Sequence, residues 1–209
     1  MLRILITDDH SIVRKGIRQI LQEGFPDACI DEADNAESMI RALLDSAYDV
    51  TITDLSMPGR SALDVLPQIR EMRPHMPVLI ISIHPEDHYA VRVLKAGAMG
   101  YLSKDLAPDE LVSAVRQVLK GKKYITPAVA EKLANIVSGK EGPNLYQNLS
   151  DREFSVLTQL ASGRSLTDIA DSMHLSINTI STYRARILSK LNLKNNSEIT
   201  RYCLENNLT

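Results

Sequence analysis

The sequence predicts two domains of different class: an α/β domain on a five-stranded parallel sheet, then a small all-α domain. Three observations predict this. Apolar, β-branched runs alternate with runs of helical period five times before residue 122. After residue 148 only the helical period remains. Between the two, Ser138-Gly-Lys-Glu-Gly-Pro143-Asn has no apolar periodicity and reads as a flexible linker. At 209 residues the chain is long for one ordinary domain and suits two. The expected division is residues 1–122, a connector at 123–147, and residues 148–209.

In the first segment Leu2–Thr7 is a β run, and Ser11–Gln22 is helical with Ile12, Val13, Ile17, Ile20 and Leu21 at helical spacing. Ala28–Asp31, Val50–Thr53, Val78–Ser82 and Met99–Leu102 are the other strands. Helices are expected at Ala36–Asp45, Asp64–Met72, Glu86–Lys95 and Pro108–Lys120. Pro108 suits a first helical turn and Gly121 the position just past a helix end. Pro67 would clash with the carbonyl of Leu63 in a helix begun too early. The third helix is therefore expected to start near Ala62–Asp64, with Pro67 in its first turn. In the connector Thr126 is an N-cap before Pro127, and Val129, Leu133, Ile136 and Val137 form a narrow apolar stripe that packs on a domain or a second copy.

The bulk numbers narrow the function classes. Hydrophobic residues make up 44%, enough for a real core, and a net charge of −2 favours neither membrane nor nucleic acid overall. Cys29 and Cys203 are far apart without metal-ligand spacing, as in a reducing compartment. Charged residues interrupt the first twenty positions, and no apolar run reaches the ~18 residues of a membrane span. A cytoplasmic protein without a membrane partner is expected.

Asp8 and Asp9 end the first β run, and Asp54 ends the third, just before Pro58-Gly59. In a parallel sheet of the flavodoxin-like order 2-1-3-4-5, ligands bind beyond the carboxyl ends of strands 1 and 3, where strand order reverses. That rule brings the three acids together. Carboxylates so close raise one another's pKa unless a cation sits among them, and oxygen ligands with room for water suit Mg²⁺. Asp54 is then a candidate nucleophile toward a phosphoryl donor. Ser82 ends the fourth strand and Lys104 follows the fifth, each within reach of a phosphoryl oxygen by this topology. Each has a plainer alternative, the acids as helix N-caps and Lys104 as a solvated side chain. Their joint placement carries the signal.

The second segment opens with a capping box, Ser150-Asp-Arg-Glu153, before the apolar run Phe154, Val156, Leu157, Leu160 and Ala161, and Gly163 ends that helix. Helices at Leu166–Met173 and Ile177–Leu191, joined by a tight turn at Leu175-Ser176-Ile-Asn, read as a helix-turn-helix, and a last helix spans Ser197–Glu205. On the long helix Ile177, Ile180, Tyr183, Ile187, Leu188 and Leu191 share one side. Asn178, Thr182, Ala185, Arg186 and Ser189 share the other, small or polar enough for close approach to a groove floor. Residues 176–194 hold Arg184, Arg186, Lys190 and Lys194 and no acid, whereas residues 1–122 have 14 basic against 18 acidic residues. A local positive stripe in an acidic chain suits DNA phosphates. An amphipathic helix with a solvated basic face is the plainer reading.

With these residues on the page, residues 1–122 resemble a response-regulator receiver domain, through Asp8-Asp9, Asp54, Ser82, Tyr101 and Lys104. Residues 148–209 resemble a LuxR-type helix-turn-helix, through Leu149-Ser-Asp-Arg-Glu153, Leu160-Ala-Ser-Gly163, Ile169-Ala170, Leu175-Ser176, Thr179-Ile180, Ile187 and Lys190-Leu191. The resemblance implies a two-component regulator of the NarL/FixJ type that binds double-stranded DNA. It implies Asp54 as phosphoacceptor from a histidine kinase, with Mg²⁺ held by Asp8, Asp9, Asp54 and the backbone carbonyl of Ser56. Ser82 would move to the phosphoryl group, Tyr101 would rotate inward, and Lys104 would pair with the phosphoryl charge. Ser181, Thr182 and Ala185 would face bases, with Thr179, Arg184, Arg186 and Lys190 nearer phosphates and Asn178 on the same side. A homodimer on phosphorylation or on DNA would be joined through Ile199, Tyr202 and Cys203.

The chain departs from the family at several points. Ala62 stands where a glycine is usual, and Ile83 follows Ser82 where a small residue is usual, a bulk expected to narrow the approach to Asp54. Ser181 and Tyr183 replace a frequent lysine and histidine, so few bidentate base contacts are available and DNA shape gains weight. A Mg²⁺-dependent phosphatase with an aspartyl nucleophile is the enzymatic alternative. It needs an Asp-x-Asp pair after one strand, which Asp8-Asp9-His10 lacks. A switch, not an enzyme, is expected; a phosphorylation-independent regulator with a vestigial acidic pocket is the other alternative.

Overall fold

Five short strands assemble where the β-branched runs fall: β1 (Arg3–Thr7), β2 (Cys29–Ala33), β3 (Val50–Asp54), β4 (Val78–Ser82) and β5 (Gly100–Ser103). The computed structural model describes residues 1–138, 145–206 and 208. All strand pairs are parallel, in the order β2-β1-β3-β4-β5, as the sequence predicts. Strands β3 and β4 are buried along their whole length, as central strands covered on both faces must be.

One face of the sheet carries Ile4, Ile6, Val50, Ile52, Leu79 and Ile81 against α1 (Ser11–Gly24) and α5 (Ala107–Leu119). These two helices touch closely. A Cβ on Gly24 would lie 2.5 Å from Cγ2 of Val112, so a side chain there would force the helices apart. α2 (Ala36–Asp45), α3 (Ala62–Met72) and α4 (Glu86–Lys95) complete the domain. α3 starts in the expected interval, but Pro67 is its sixth residue and lies past the first turn. The Ser61–Asp64 capping box determines the start, and Leu63 thereby loses the amide donor that a residue other than proline would supply.

The chain after α5 stays on the sheet. The Tyr124 amide donates to the Met99 carbonyl (2.8 Å) and its backbone bridges Gly100, which covers part of the outer edge of β5. The Tyr124 hydroxyl donates to Glu110. The Thr126 hydroxyl then accepts from the Val129 amide (3.3 Å), opening α6 (Pro127–Val137) as expected, with Val129 buried. The chain divides into two compact units, residues 1–134 and 135–209, so the division falls within α6. The expected linker residues 139–144 lie outside the described residues.

The second unit contains a 3-10 turn (Leu145–Asn148) and helices α7 (Asp151–Ala161), α8 (Leu166–Met173), α9 (Ile177–Leu191) and α10 (Asn196–Glu205). α7 is central and packs on the other three. Its Phe154 is fully buried, as are Val156, Leu157, Ile169, Ile180, Ile187, Ile199 and Cys203. The predicted capping box forms, with Ser150 Oγ accepting from the Glu153 amide and the Glu153 carboxylate accepting from the Ser150 amide. His174 ends α8 in the left-handed conformation, and Ser176 caps α9 two residues later. Ile177, expected on the inward side, stands half-exposed at the start of α9. Among the described residues no helix is long and apolar enough to cross a membrane.

Candidate functional site

The parallel sheet delivers its polar residues to one end. Asp8 follows β1, Asp54 and Ser82 are the last residues of β3 and β4, and Lys104 follows β5. Lys104 Nζ lies 3.0 Å from Asp54 Oδ2 and 2.7 Å from Asp8 Oδ2, so one ammonium bridges two carboxylates. Asp8 is 1% exposed and Asp54 5%, while Asp9 is partly open to water. Potential metal-ligand atoms of Asp8, Asp9, His10 and Asp54 all lie within 4.8 Å of one another. His10 was not foreseen. Its amide donates to Asp8 Oδ1 (2.8 Å) and its Nδ1 sits 2.9 Å from Asp9 Oδ1.

Burial dominates the electrostatics. Desolvation pushes Asp54 up to about 6, against the Lys104 ammonium, which lowers it, with the Asp8 charge adding to the rise. Burial also works against the Lys104 charge, but its bond to Asp8 and the Asp54 charge hold its pKa above the ordinary value. One lysine therefore does not satisfy this group of acids. Asp8 Oδ2 and Asp9 Oδ1 are buried, and each has a single nitrogen beside it, Lys104 Nζ and His10 Nδ1. Three carboxylates whose oxygens lie this close together, two of them buried, are a donor set suited to a hard divalent cation.

The rim of the pocket is held by the segment after β4. Ser82 Oγ accepts from the His84 amide (3.0 Å), and the Tyr101 hydroxyl donates to the His84 carbonyl (2.7 Å). Tyr101 is buried. Burial raises its pKa. The His84 ring packs on Tyr89, with centroids 5.0 Å apart, and its Nε2 lies 3.0 Å from Ser56 Oγ. Ala62 is buried, its amide on the Leu55 carbonyl (2.9 Å). Ile83 is 71% exposed, so its bulk stands in water at the rim and does not fill the pocket.

On α9 the buried residues are Ile180, Ile187 and Leu191. Asn178, Ser181, Thr182, Ala185 and Arg186 are exposed, as close approach to a groove requires, with Thr179 and Arg184 partly so. Thr182 Oγ1 donates to the Asn178 carbonyl (2.9 Å), Thr179 Oγ1 lies 2.8 Å from Ser176 Oγ, and Arg184 Nε donates to Asn196 Oδ1 (2.6 Å). Among the described residues Arg186 has no hydrogen bond or ion pair.

Three of the expected site residues are engaged inside the second unit. The Lys190 ammonium lies 2.6 Å from the buried Glu153 carboxylate and donates to the Asn148 carbonyl, so it holds the start of α7 while its side chain remains 41% exposed. The Lys190 bond is one reason that Glu153 titrates below the ordinary value, despite burial, which raises it. Ile199 and Cys203, expected at the dimer contact, are both 0% exposed, because their i, i+4 spacing faces α7. The Tyr202 hydroxyl accepts from the Tyr146 amide (3.2 Å). The apolar residue that α10 does present to water is Leu204, 63% exposed.

The chain matches the response regulator receiver domain over residues 4–116 and the bacterial regulatory proteins of the luxR family over residues 147–203. It is 32% identical over 209 residues to the response regulator UvrY of Escherichia coli (strain K12), covering 100% of this chain and 96% of that protein. It is 33% identical over 214 residues to the oxygen regulatory protein NreC of Staphylococcus carnosus, covering 99% of each chain. Among solved structures it resembles RcsB of Salmonella enterica serovar Typhimurium bound to promoter rprA in the presence of phosphomimetic BeF3−. There the TM-score is 0.66 and the identity 27%, covering 96% of this chain and 97% of that one.

Proposed function

The chain belongs to the response regulators with a receiver domain and a luxR-type DNA-binding domain, and from that membership we propose that Asp54 is an input switch for DNA binding. Members of this family are DNA-binding transcriptional regulators, not enzymes. One observation carries the proposal: a single ammonium, Lys104, bridges two buried carboxylates at the ligand-binding end of the sheet. A phosphoryl group placed on Asp54 changes what that ammonium pairs with.

The donor is a phosphohistidine of a histidine kinase. An Asp54 carboxylate oxygen attacks phosphorus and the P–N bond breaks. Its electron pair returns to the imidazole nitrogen, which takes up a proton. Asp8, Asp9, Asp54 and the Ser56 carbonyl would hold Mg²⁺, which would supply positive charge to offset that of the carboxylates and the phosphoryl group. Lys104 and the Ser82 hydroxyl then donate to phosphoryl oxygens. The added charge, about −1.5 to −2 by analogy with other phosphorylated side chains, falls in a pocket already crowded with acids. This gives the domain a reason to change state. The second unit responds by binding double-stranded DNA as a homodimer.

Acetyl phosphate with Mg²⁺ tests the chemistry. Wild-type chain takes up one phosphoryl group, lost on Asp54→Asn, and sustained release of phosphate well beyond one equivalent would instead indicate an enzyme. The cation has its own test. Mg²⁺ in the absence of a phosphodonor raises the thermal unfolding midpoint of the first unit, by about 2.7 kcal/mol of stability at a hundredfold excess over Kd. Asp9→Asn loses most of that gain. An equal gain in both chains would remove Asp9 from the ligand set.

On the DNA side Arg186→Ala is expected to lower affinity by about 1 kcal/mol and to flatten the slope of log K against log salt by about 0.9, one phosphate contact. Lys190→Met lowers the stability of the second unit and leaves that slope nearly unchanged. Titrations at three salt concentrations distinguish the two.

A further inference from the structure

The Thr126 hydroxyl is used twice. It accepts from the Val129 amide (3.3 Å) as the cap of α6, and it donates to the Glu86 carboxylate, 2.9 Å from Oε1 and 3.0 Å from Oε2. Glu86 is the first residue of α4, two positions after His84. The His84 peptide is pinned on both sides, its amide by Ser82 Oγ and its carbonyl by the Tyr101 hydroxyl. α4 has no side-chain cap of its own, since Pro85 occupies that position. Bonds to neighbouring elements, from Tyr101 and Thr126, therefore help to hold the start of α4.

We propose that the Thr126–Glu86 hydrogen bond is a latch between the phosphorylation pocket and the connector helix, opened when Asp54 is phosphorylated. The inference rests on the reading of Asp54 as phosphoacceptor. When the Ser82 hydroxyl turns to a phosphoryl oxygen, the His84 amide loses its acceptor and residues 83–86 shift. Glu86 moves with them, and Thr126 gives up its carboxylate partner. α6 begins in the first unit and runs past the division at residue 134, so an altered hold on its first turn acts on the segment that leads to the DNA-binding helices. Neither Thr126 nor Glu86 touches the acidic pocket, so the latch can be removed with the pocket chemistry intact.

The test is hydrogen–deuterium exchange across residues 127–133 of the full chain, with and without acetyl phosphate and Mg²⁺, with phosphoryl uptake measured on the same samples. In wild type, uptake is expected to speed exchange there on the order of fivefold, the loss of one ordinary hydrogen bond. Glu86→Ala keeps the Thr126 cap. It should exchange at that faster rate without phosphodonor, respond no further, and take up phosphate as wild type does. Thr126→Ser, which keeps the hydroxyl, should behave as wild type, and Thr126→Val as Glu86→Ala or faster. Uptake in wild type with unchanged exchange overturns the latch, as does wild-type exchange in unphosphorylated Glu86→Ala. Absence of uptake in wild type overturns the reading of Asp54 and the latch with it.

Discussion

Asp54→Asn is expected to abolish phosphoryl uptake and, in metal-free buffer near neutral pH, to make the first unit more stable. Both effects have one source. Desolvation holds Asp54 at about 6 in the folded chain, above its ordinary carboxylate value, so the folded state binds that proton more tightly than the unfolded chain does. Stability from such a group is fully present below the unfolded pKa and is lost as pH rises through the folded one. Asparagine does not ionise and keeps the stability of the neutral form. Its advantage should open between about pH 4 and pH 6 and stay level above that. A shift of about two units corresponds to about 3 kcal/mol, a ceiling because an amide holds Lys104 less well than a carboxylate does. Urea unfolding at about pH 4 and about pH 7.5 checks the sign. Equal stabilities at the higher pH would contradict the placement of an ionised, desolvated acid at this strand end. The chain thus accepts a loss of stability where it needs a reactive carboxylate.

The second large effect lies in the other unit. Phe154→Ala is expected to cost about 3–5 kcal/mol, because its ring is fully buried at the centre of the helical core and stands against Tyr146, with centroids 5.9 Å apart. A unit of this size has roughly 3–9 kcal/mol in total, so most molecules should lose its fold. DNA binding should then disappear while Asp54 still takes up a phosphoryl group. Exchange protection should fall across α7 to α10 and persist in β1 to β5. DNA affinity within a few-fold of wild type would show that the ring is not central to that core.

Much of this was legible in sequence, for local reasons. The strand order follows from five βα units and the connection rules of parallel sheets, and Asp8, Asp9 and Asp54 follow from strand order. Capping boxes such as Ser150–Glu153 read directly, because both partners lie within one turn. What stayed hidden needed knowledge of which helices touch. Lys190 reads as one more basic residue on α9 until α7 is seen to bring Glu153 against it. Ile199 and Cys203 have the spacing of an apolar stripe, which suits a core and an interface equally, and only the structure shows both buried against α7. His10 and His84 carry no motif, and their places beside the acids and the β4 rim come from loop geometry that periodicity does not encode. Pro67 was foreseen as a constraint on α3, but the Ser61–Asp64 box outweighed it by one turn.

The central claim is that the state of Asp54 sets the affinity of the second unit for DNA. The most direct measurement is a footprint on DNA that the chain itself selects from a random-sequence pool, with and without acetyl phosphate and Mg²⁺, for wild type and Asp54→Asn. In wild type, protection should appear with phosphodonor at a concentration at least about fivefold lower, the smaller end of ordinary coupling between sites. Asp54→Asn should show one protection curve under both conditions. Identical curves for wild type with and without phosphodonor, in samples where uptake on Asp54 is verified, would contradict the claim.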